Sequence, residues 1–463
     1  MSTAAGSPAD ANPGIASAAP DAVPRRPEQP SGCEESEGSD ESARPTSLLT
    51  HSSPAPTDRW LNTDRMYGLA GDLARRIDPH TEADPVVVYI CLLAALGNLI
   101  GPKPHVRVGA SRHTCKAYVL VVGETAKARK GTSWAEVRRV CEALDERWAS
   151  DSVVSGLGSG EALVSLVADP SDTDDASSPV LRDPRVLVVD EEYARTLAVC
   201  RREGSTLSSV IRQAWDNQPL SSRTKHDVLA AETHHISMIS HVTLDELRAK
   251  GMGLDVVNGH MNRYAIVRST RSKRLPNGGS LRSDGLVDLV DRARRAVESA
   301  RNLDEVRRTP DCERRWAEIY NYLGDDDPGG LLGACTARAE PMVLRFSLIL
   351  CLLDGSVAID ARHIDAALEL WQHCRSSARW VVGDDSGNRT ADRIERILRD
   401  RPDGLSRALI SKGLSGHATR GELDEAFELL LKSRRVVERI EATLGRPRTI
   451  YLLPSGQPTT DPA

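Results

Sequence analysis

Short apolar runs and amphipathic stretches alternate through the middle of the chain. Runs rich in β-branched or other apolar residues predict strands at 105–109, 117–122, 152–155, 185–189, 235–241 and 263–268. Several of these runs are separated by stretches with helical spacing, of which 134–144 is one. Strands that alternate with helices predict an α/β fold with a parallel sheet, here over residues 101–285.

Helical spacing, with apolar residues three and four positions apart, flanks this core on both sides. Residues 58–100 predict two N-terminal helices, near 64–77 and from about 83 to 100. Residues 286–382 predict a helical domain with helices at 286–301, 311–323, 336–353 and 361–381. The most apolar run, 85–100, is short and is interrupted by Gly and Asn, so it predicts a buried helix and no membrane span.

The pattern changes again over residues 390–453. Three short helices are predicted at 393–399, 406–412 and 420–433, followed by strands at 436–442 and 449–453 that a basic turn joins. Three helices and such a hairpin predict a winged helix. Residues 1–57, which are rich in Ala, Pro, Ser, Gly and acids, and the tail 454–463 are predicted to be disordered.

The predicted winged helix carries its positive charge away from its third helix. That helix has an apolar face for packing and an acidic outer face, which would repel DNA phosphates. If the domain binds DNA, we expect contacts through the wing and the phosphates, with docking of a protein partner as the alternative. The basic residues at the helix end and on the wing are Lys432, Arg434, Arg435, Arg439, Arg446 and Arg448.

Composition narrows the range of functions. The net charge of −6 over 463 residues provides no global attraction for nucleic acid, so any such site must be a local patch. The nine cysteines form no Cys-x-x-Cys pair, which argues against a zinc site or a disulfide framework and favours the reducing cytoplasm. No secretion signal is apparent at the N-terminus.

A candidate phosphate-binding loop directly follows the apolar run 117–122. Strand, Gly-opened loop, lysine, hydroxyl residues and helix is the order in which backbone N–H groups face phosphates. The usual Gly-Lys-Ser/Thr is replaced by Lys-Gly-Thr-Ser, and two of only nine lysines in the chain lie here. The candidate ligands of phosphate and of its Mg²⁺ ion are Gly123, Lys127, Lys130, Gly131, Thr132 and Ser133.

A second element supports a nucleotide site. The apolar run 185–189 ends in three carboxylates, Asp190, Glu191 and Glu192. Carboxylates at the carboxyl end of a parallel strand lie at the edge where open α/β sheets bind ligands. One carboxylate can order Mg²⁺ and a neighbour can polarise the attacking water, so ATP and Mg²⁺ are the expected cofactors.

Six segments together resemble a family of RecA-like, helicase-type P-loop ATPases that accompany primase-polymerases of plasmids, phages and mobile elements. The resemblance covers about residues 60–380 and implies a RecA-like core with flanking helices, to which a winged helix is often appended. The 57 residues before the predicted helices are too few for a primase-polymerase domain, so we expect this chain to be the ATPase part only. The segments are 123–134, 155–161, 186–192, 202–216, 235–241 and 258–263.

The resemblance also implies roles for single residues. Lys130 would be the phosphate lysine, with Lys127 the runner-up, and either Thr132 or Ser133 would ligate Mg²⁺ opposite Asp190. Glu191 or Glu192 would orient the attacking water, and Glu161 competes for that role. His241, at a strand end, would sense the γ-phosphate, and Arg263 would act as an arginine finger in a neighbouring subunit of a ring.

These features predict an ATP-hydrolysing motor or switch on DNA, with a primase or replication protein as a further partner. The alternative is a DNA-binding regulator or adaptor with a degenerate nucleotide site, which the non-standard loop and the acidic net charge motivate. A phosphotransferase is disfavoured, because a winged helix has no evident part in small-molecule transfer.

Overall fold

The computed structural model describes residues 59–169, 183–223, 228–250, 258–383, 388–414, 418–432, 435–441 and 447–454. The two segments predicted to be disordered lie outside these ranges, apart from Pro454. The helices are α1 Gly68–Ile77, α2 Pro85–Ile100, α3 Lys130–Leu144, α4 Glu146–Asp151, α5 Gly160–Ser165, α6 Tyr193–Cys200, α7 Leu207–Trp215, α8 Leu244–Lys250, and then Val287–Arg301, Pro310–Asp325, Gly330–Thr336, Ala339–Leu353, Ala361–Val382, Arg389–Arg399, Arg407–Gly413 and Arg420–Lys432.

Five of the strands form one parallel sheet with the order β4-β5-β8-β3-β9. The prediction of an α/β fold with a parallel sheet is therefore confirmed. Strand β8 lies between β3 and β5, so the predicted phosphate loop and the acidic strand end are two strands apart. The strands are β1 His105–Val108, β2 Ser111–Thr114, β3 Tyr118–Gly123, β4 Val153–Val154, β5 Arg185–Asp190, β6 Leu220–Arg223, β7 Val228–Ala231, β8 His235–Thr243, β9 Ala265–Ser269, β10 Arg307–Arg308, β11 Ala358–Ile359, β12 Leu405–Ser406, β13 Val437–Glu441 and β14 Arg448–Leu452.

Two expectations about these elements need correction. The strand predicted at 105–109 exists as β1 but pairs antiparallel with β2 in a separate hairpin, because only its first half is buried. A second hairpin, β6 with β7, was not predicted, since its strands are short and half-exposed. The helix predicted at 336–353 is observed as Ala339–Leu353, and a separate short helix that was not predicted, Gly330–Thr336, precedes it.

Helix α2 lies at the centre of the larger hydrophobic core. All of its residues after Pro85 are buried, which confirms the prediction of a buried helix. Its 16 residues would span about 24 Å, less than the ~30 Å hydrocarbon core of a bilayer. No helix within the described ranges is long and apolar enough to cross a membrane.

Asn98 connects α2 to the sheet. Its side-chain amide donates to the carbonyls of Val186 in β5 and His235 in β8, at 3.0 and 2.8 Å. Its amide oxygen accepts from Trp148 Nε1 in α4, at 3.2 Å. A fully buried amide is costly unless it is satisfied, and here one side chain holds two strands and a helix together.

The larger hydrophobic core runs continuously from Met66 to Val382 and includes both the sheet and the helices predicted as a separate helical domain. A second, smaller core runs from Ala391 to Tyr451. It contains the last three helices and a small antiparallel sheet with the order β12-β14-β13. The described residues after 388 thus have a core of their own.

Replacing Asn98 with Ala should lower the free energy of unfolding by roughly 2–4 kcal/mol, because three buried hydrogen bonds are lost and Trp148 Nε1 is left unpaired. The urea-unfolding midpoint measures this change. Asn302→Ala is the matched control, since Asn302 is exposed and its amide bonds, among the described residues, the carbonyl of Glu298 at 3.3 Å. Equal midpoints for the two variants would contradict the bridging role of Asn98.

Candidate phosphate loop and acidic strand end

The loop after β3 turns twice before α3 begins. Thr125 caps a short 3-10 helix, Ala126–Ala128, by accepting from the N–H of Lys127 at 3.1 Å. Arg129 then adopts a left-handed conformation with φ of 60°, and α3 starts at Lys130. A left-handed residue before the helix directs the free N–H groups of the first turn of α3 toward the loop.

Lys130 is the lysine that lies within the loop. Its Nζ is 3.3 Å from the carbonyl oxygen of Thr125, whereas Lys127 is exposed. Burial lowers the pKa of Lys130 below its usual value, and the carboxylate of Glu246 opposes that shift. The geometry therefore favours Lys130 over Lys127 as a phosphate ligand.

Ion pairs and a hydrogen bond outside the loop hold it in this conformation. The guanidinium of Arg129 lies 2.7 Å from the carboxylate of Glu82. Glu82 also accepts from the N–H of Leu275 at 2.7 Å and pairs with Arg271, and these contacts lower its pKa to about 2. On the other side, Ser269 at the end of β9 donates to the carbonyl of Ala128 at 2.8 Å.

The two hydroxyl candidates in α3 differ in their surroundings. The hydroxyl of Ser133 is buried and donates to the carbonyl of Arg129 at 3.3 Å, one helical turn earlier. Thr132 is half-buried, and its hydroxyl bonds none of the described residues. Thr132 is therefore the hydroxyl better placed to bind a ligand.

The acidic end of β5 faces the beginning of α3. Asp190 is buried, and its carboxylate accepts from the N–H of Glu192 at 3.1 Å and from the hydroxyl of Thr196. A Cβ on Gly131 would lie 3.9 Å from Oε1 of Glu191, so that carboxylate lies beside the first turn of α3. Both elements line an open cleft of about 610 Å³.

His241 occupies strand β8 between these two elements. It is paired in register with Val121 of β3, two residues before Gly123. Burial, and after it the charge of Lys130, lowers the pKa of His241 to about 4, so the ring is neutral near pH 7. Its buried Nε2 has no hydrogen-bond partner among the described residues. A neutral imidazole, only 1% exposed, therefore lies near the loop lysine.

Two of the predicted site residues lie elsewhere. Glu161 is exposed in the first turn of α5 and does not line the cleft. Arg263 is only 6% exposed and pairs with Asp216 in the same chain at 2.6 Å. Its guanidinium lies 5.7 Å from the ring centroid of Trp215. Contact with a neighbouring subunit would require this buried pair to break.

Several residues of the site were not predicted from the sequence. Glu82 and Ser269 contact the loop from segments that are distant in the chain. The sequence shows that they are an acid and a hydroxyl residue, but nothing in it indicates that they contact the loop. Tyr193, directly after the three carboxylates, hydrogen-bonds Nε2 of His260 at 2.7 Å, and burial lowers the pKa of His260 to about 3. That bond joins the acidic strand end to the segment 258–263.

No cluster of three or more His, Cys, Asp or Glu side chains suited to a metal ion occurs in the described part of the chain. A Mg²⁺ ion that arrives with a nucleotide does not need one, because phosphate oxygens and waters supply most of its ligands. No protein-family model matches the chain, and no curated protein sequence matches it significantly. The site is therefore defined by its geometry alone.

The left-handed Arg129 permits a test of what shapes the loop. Arg129→Ala should lose the pair with Glu82 and keep the backbone strain, whereas Arg129→Gly loses the pair but relieves the strain, worth about 1 kcal/mol. We expect Arg129→Gly to be the more stable variant by that amount, measured from urea-unfolding midpoints. Equal stabilities would mean that the left-handed conformation carries no strain.

Proposed function

We propose that this chain is an ATP-dependent ATPase of the RecA-like, helicase-type class that acts on DNA as a motor or switch. The observation that carries the proposal is the approach of Glu191 to Gly131, which brings the acidic strand end to the phosphate loop. The setting in a plasmid- or phage-type replication system rests on the sequence resemblance, and a neighbouring primase gene would test it.

The strand order supports the RecA-like assignment. In that fold, one strand separates the strand leading into the phosphate loop from the strand ending in carboxylates, and β8 has this position here. Two strand spacings amount to about 9.5 Å, which leaves room for phosphates between the loop and the carboxylates. Strand β8 is longer than expected, and the neutral His241 lies two residues before its end at Thr243, where we expect it to sense a γ-phosphate.

The residues of the site have different roles in the proposed reaction. Lys130 and the N–H groups of α3 bind the phosphates, and the Thr132 hydroxyl and the Asp190 carboxylate hold the metal-ion side of the site. A bound Mg²⁺ would neutralise charge on the phosphates. Glu191, which is exposed to the cleft, orients the attacking water, because its carboxylate is closest to the phosphate loop.

A DNA-binding regulator with a degenerate nucleotide site is the second candidate. The observation that favours it is Arg129, which occupies a left-handed position that glycine usually adopts at low cost. ATP turnover separates the two functions: the motor or switch hydrolyses ATP with a rate that single-stranded DNA changes, whereas the regulator does not hydrolyse it.

We predict that Lys130→Ala weakens ATP binding about 10–100-fold, because a charge-assisted contact with phosphate is lost. Glu191→Gln should keep binding and lower the hydrolysis rate about 100-fold or more. Fluorescent-nucleotide titration and phosphate release measure the two effects. Lys127→Ala is the matched control and should resemble wild type. Wild-type affinity in Lys130→Ala would show that the loop assignment is wrong.

The small C-terminal core supports a winged helix, since three helices accompany its antiparallel sheet. Its positive surface is smaller than the sequence predicts. Arg435 pairs inside the domain with Glu395, and Glu441 accepts from both Arg439 and Arg448, at 2.9 and 3.0 Å. Arg434 and Arg446 lie outside the described residues, as does the side chain of Lys432.

One observation favours a protein-docking role for this domain. Ile440 is 75% exposed on β13, which is an edge strand of the small sheet. Exposed apolar side chains on a strand edge favour pairing with another protein. The pairing of Arg439 and Arg448 with Glu441 reduces the charge available for DNA.

If the wing binds DNA, the double substitution of Arg446 and Arg448 by Ala should lower the affinity for DNA equally for all DNA sequences. The slope of log affinity against log salt should decrease by about 2, since each phosphate contact contributes about 0.9. Fluorescence anisotropy at several salt concentrations measures both. Ile440→Ser is the control that changes no charge. An unchanged slope in the double variant would favour protein docking.

A further inference from the structure

Two arginines, Arg195 and Arg202, line the same cleft as Gly131 and the carboxylates. Arg195 and Arg202 are exposed, and neither forms an ion pair with any residue that the structure describes. The third arginine of the cleft, Arg138, differs because its Nε lies 2.8 Å from the carboxylate of Glu142. Two guanidinium groups of the cleft are thus available to an anion.

The position of Arg195 in its helix is electrostatically unfavourable. It lies in the first turn of α6, where the positive end of the helix dipole disfavours a cation. It follows Glu191 by four residues, so it enters the cleft close to the carboxylate that faces Gly131. A cation held at an unfavourable position, without a partner among the described residues, indicates a role in binding.

The occupant that fits this position is a phosphate group that arrives with a metal ion. Three carboxylates, Asp190, Glu191 and Glu192, share the cleft with the arginines. They would repel the continuous phosphate backbone of a nucleic acid, whereas a nucleotide brings Mg²⁺ to offset their charge. Gly131, in the first turn of α3 after the phosphate loop, lines the same cleft, so a triphosphate bound by the loop would extend into the cleft that Arg195 lines.

We propose, on the basis of the ATPase function above, that Arg195 contacts the γ-phosphate of ATP bound by its own chain. In hydrolysis, the water oxygen bonds to the γ-phosphorus while the bond to the β–γ bridging oxygen breaks. The electron pair leaves with ADP, and the proton of the water passes through Glu191 to solvent. Arg195 stabilises the charge that develops on the γ-phosphoryl oxygens, which is the task of an arginine finger supplied within the chain.

This assignment differs from a finger at Arg263. The side chain of Arg263 is held by Asp216 and by the carbonyl of Gly259 within its own chain. Arg195 can bind phosphate without first breaking a contact of this kind. Arg202 lies beyond the end of α6 at Cys200, whereas Arg195 lies in its first turn beside the carboxylates, so the contribution of Arg202 to the γ-phosphate should be smaller.

The test combines binding and turnover. Arg195→Ala should bind ADP like wild type and bind ADP–aluminium fluoride, a mimic of the transferring phosphoryl group, about 100-fold more weakly by calorimetry. Its kcat for ATP should decrease at least 100-fold with little change in KM, and Arg195→Lys should recover part of that loss. Arg201→Ala, at the opposite end of α6 and outside the cleft, is the matched control.

Each outcome decides the proposal. Wild-type affinity of Arg195→Ala for ADP–aluminium fluoride would overturn it, while the ATPase function of the protein would stand. Unchanged hydrolysis in Arg195→Ala and Arg202→Ala, together with weaker binding of single-stranded DNA, would also overturn it and assign the cleft to nucleic acid. A wild-type protein that binds no ATP would overturn both this proposal and the ATPase function.

Discussion

The close contact between the buried helix α2 and the sheet determines where the candidate site can form. A Cβ on Gly97 would lie 2.2 Å from the carbonyl oxygen of Cys115, which precedes β3, so no larger residue fits there without a shift. The next residue, Asn98, binds β5 and β8, and Nε2 of His235 lies 3.1 Å from the carbonyl of Gly97. One helical turn thereby aligns the three strands whose carboxyl ends carry the loop, the histidine and the carboxylates.

In the loop, an ion pair offsets backbone strain. The left-handed backbone of Arg129 is strained, and the ion pair between its side chain and Glu82 holds the residue in that conformation. Because the pKa of Glu82 is lowered to about 2, this pair is retained until the pH falls far below the usual range of a glutamate. Lys130, in contrast, has a lowered pKa and, among the described residues, hydrogen-bonds the carbonyl of Thr125, so it can exchange that contact for a phosphate.

Most of the segments 202–216 and 258–263, which carry part of the family resemblance, has a structural role in the described chain. Lys116, Tyr118 and Arg345 donate to carbonyls in the last turn of α7, and the aligned dipoles of that turn favour cations there. Asp216 then binds Arg263 and Arg338. These charges fix the end of α7 behind the sheet, which explains why Arg263 is buried.

The sequence by itself determined the α/β class, most element positions, the buried α2 and the two segments of the candidate site, because apolar periodicity and the residues of a loop are local properties. It did not determine the strand order, the separate hairpin β1–β2, or which of Lys127 and Lys130 enters the loop. Those depend on contacts between residues far apart in the chain, such as Glu82 with Arg129. Only the tertiary structure brought Glu191 to Gly131 and buried Arg263, because packing decides which charges meet and which face water.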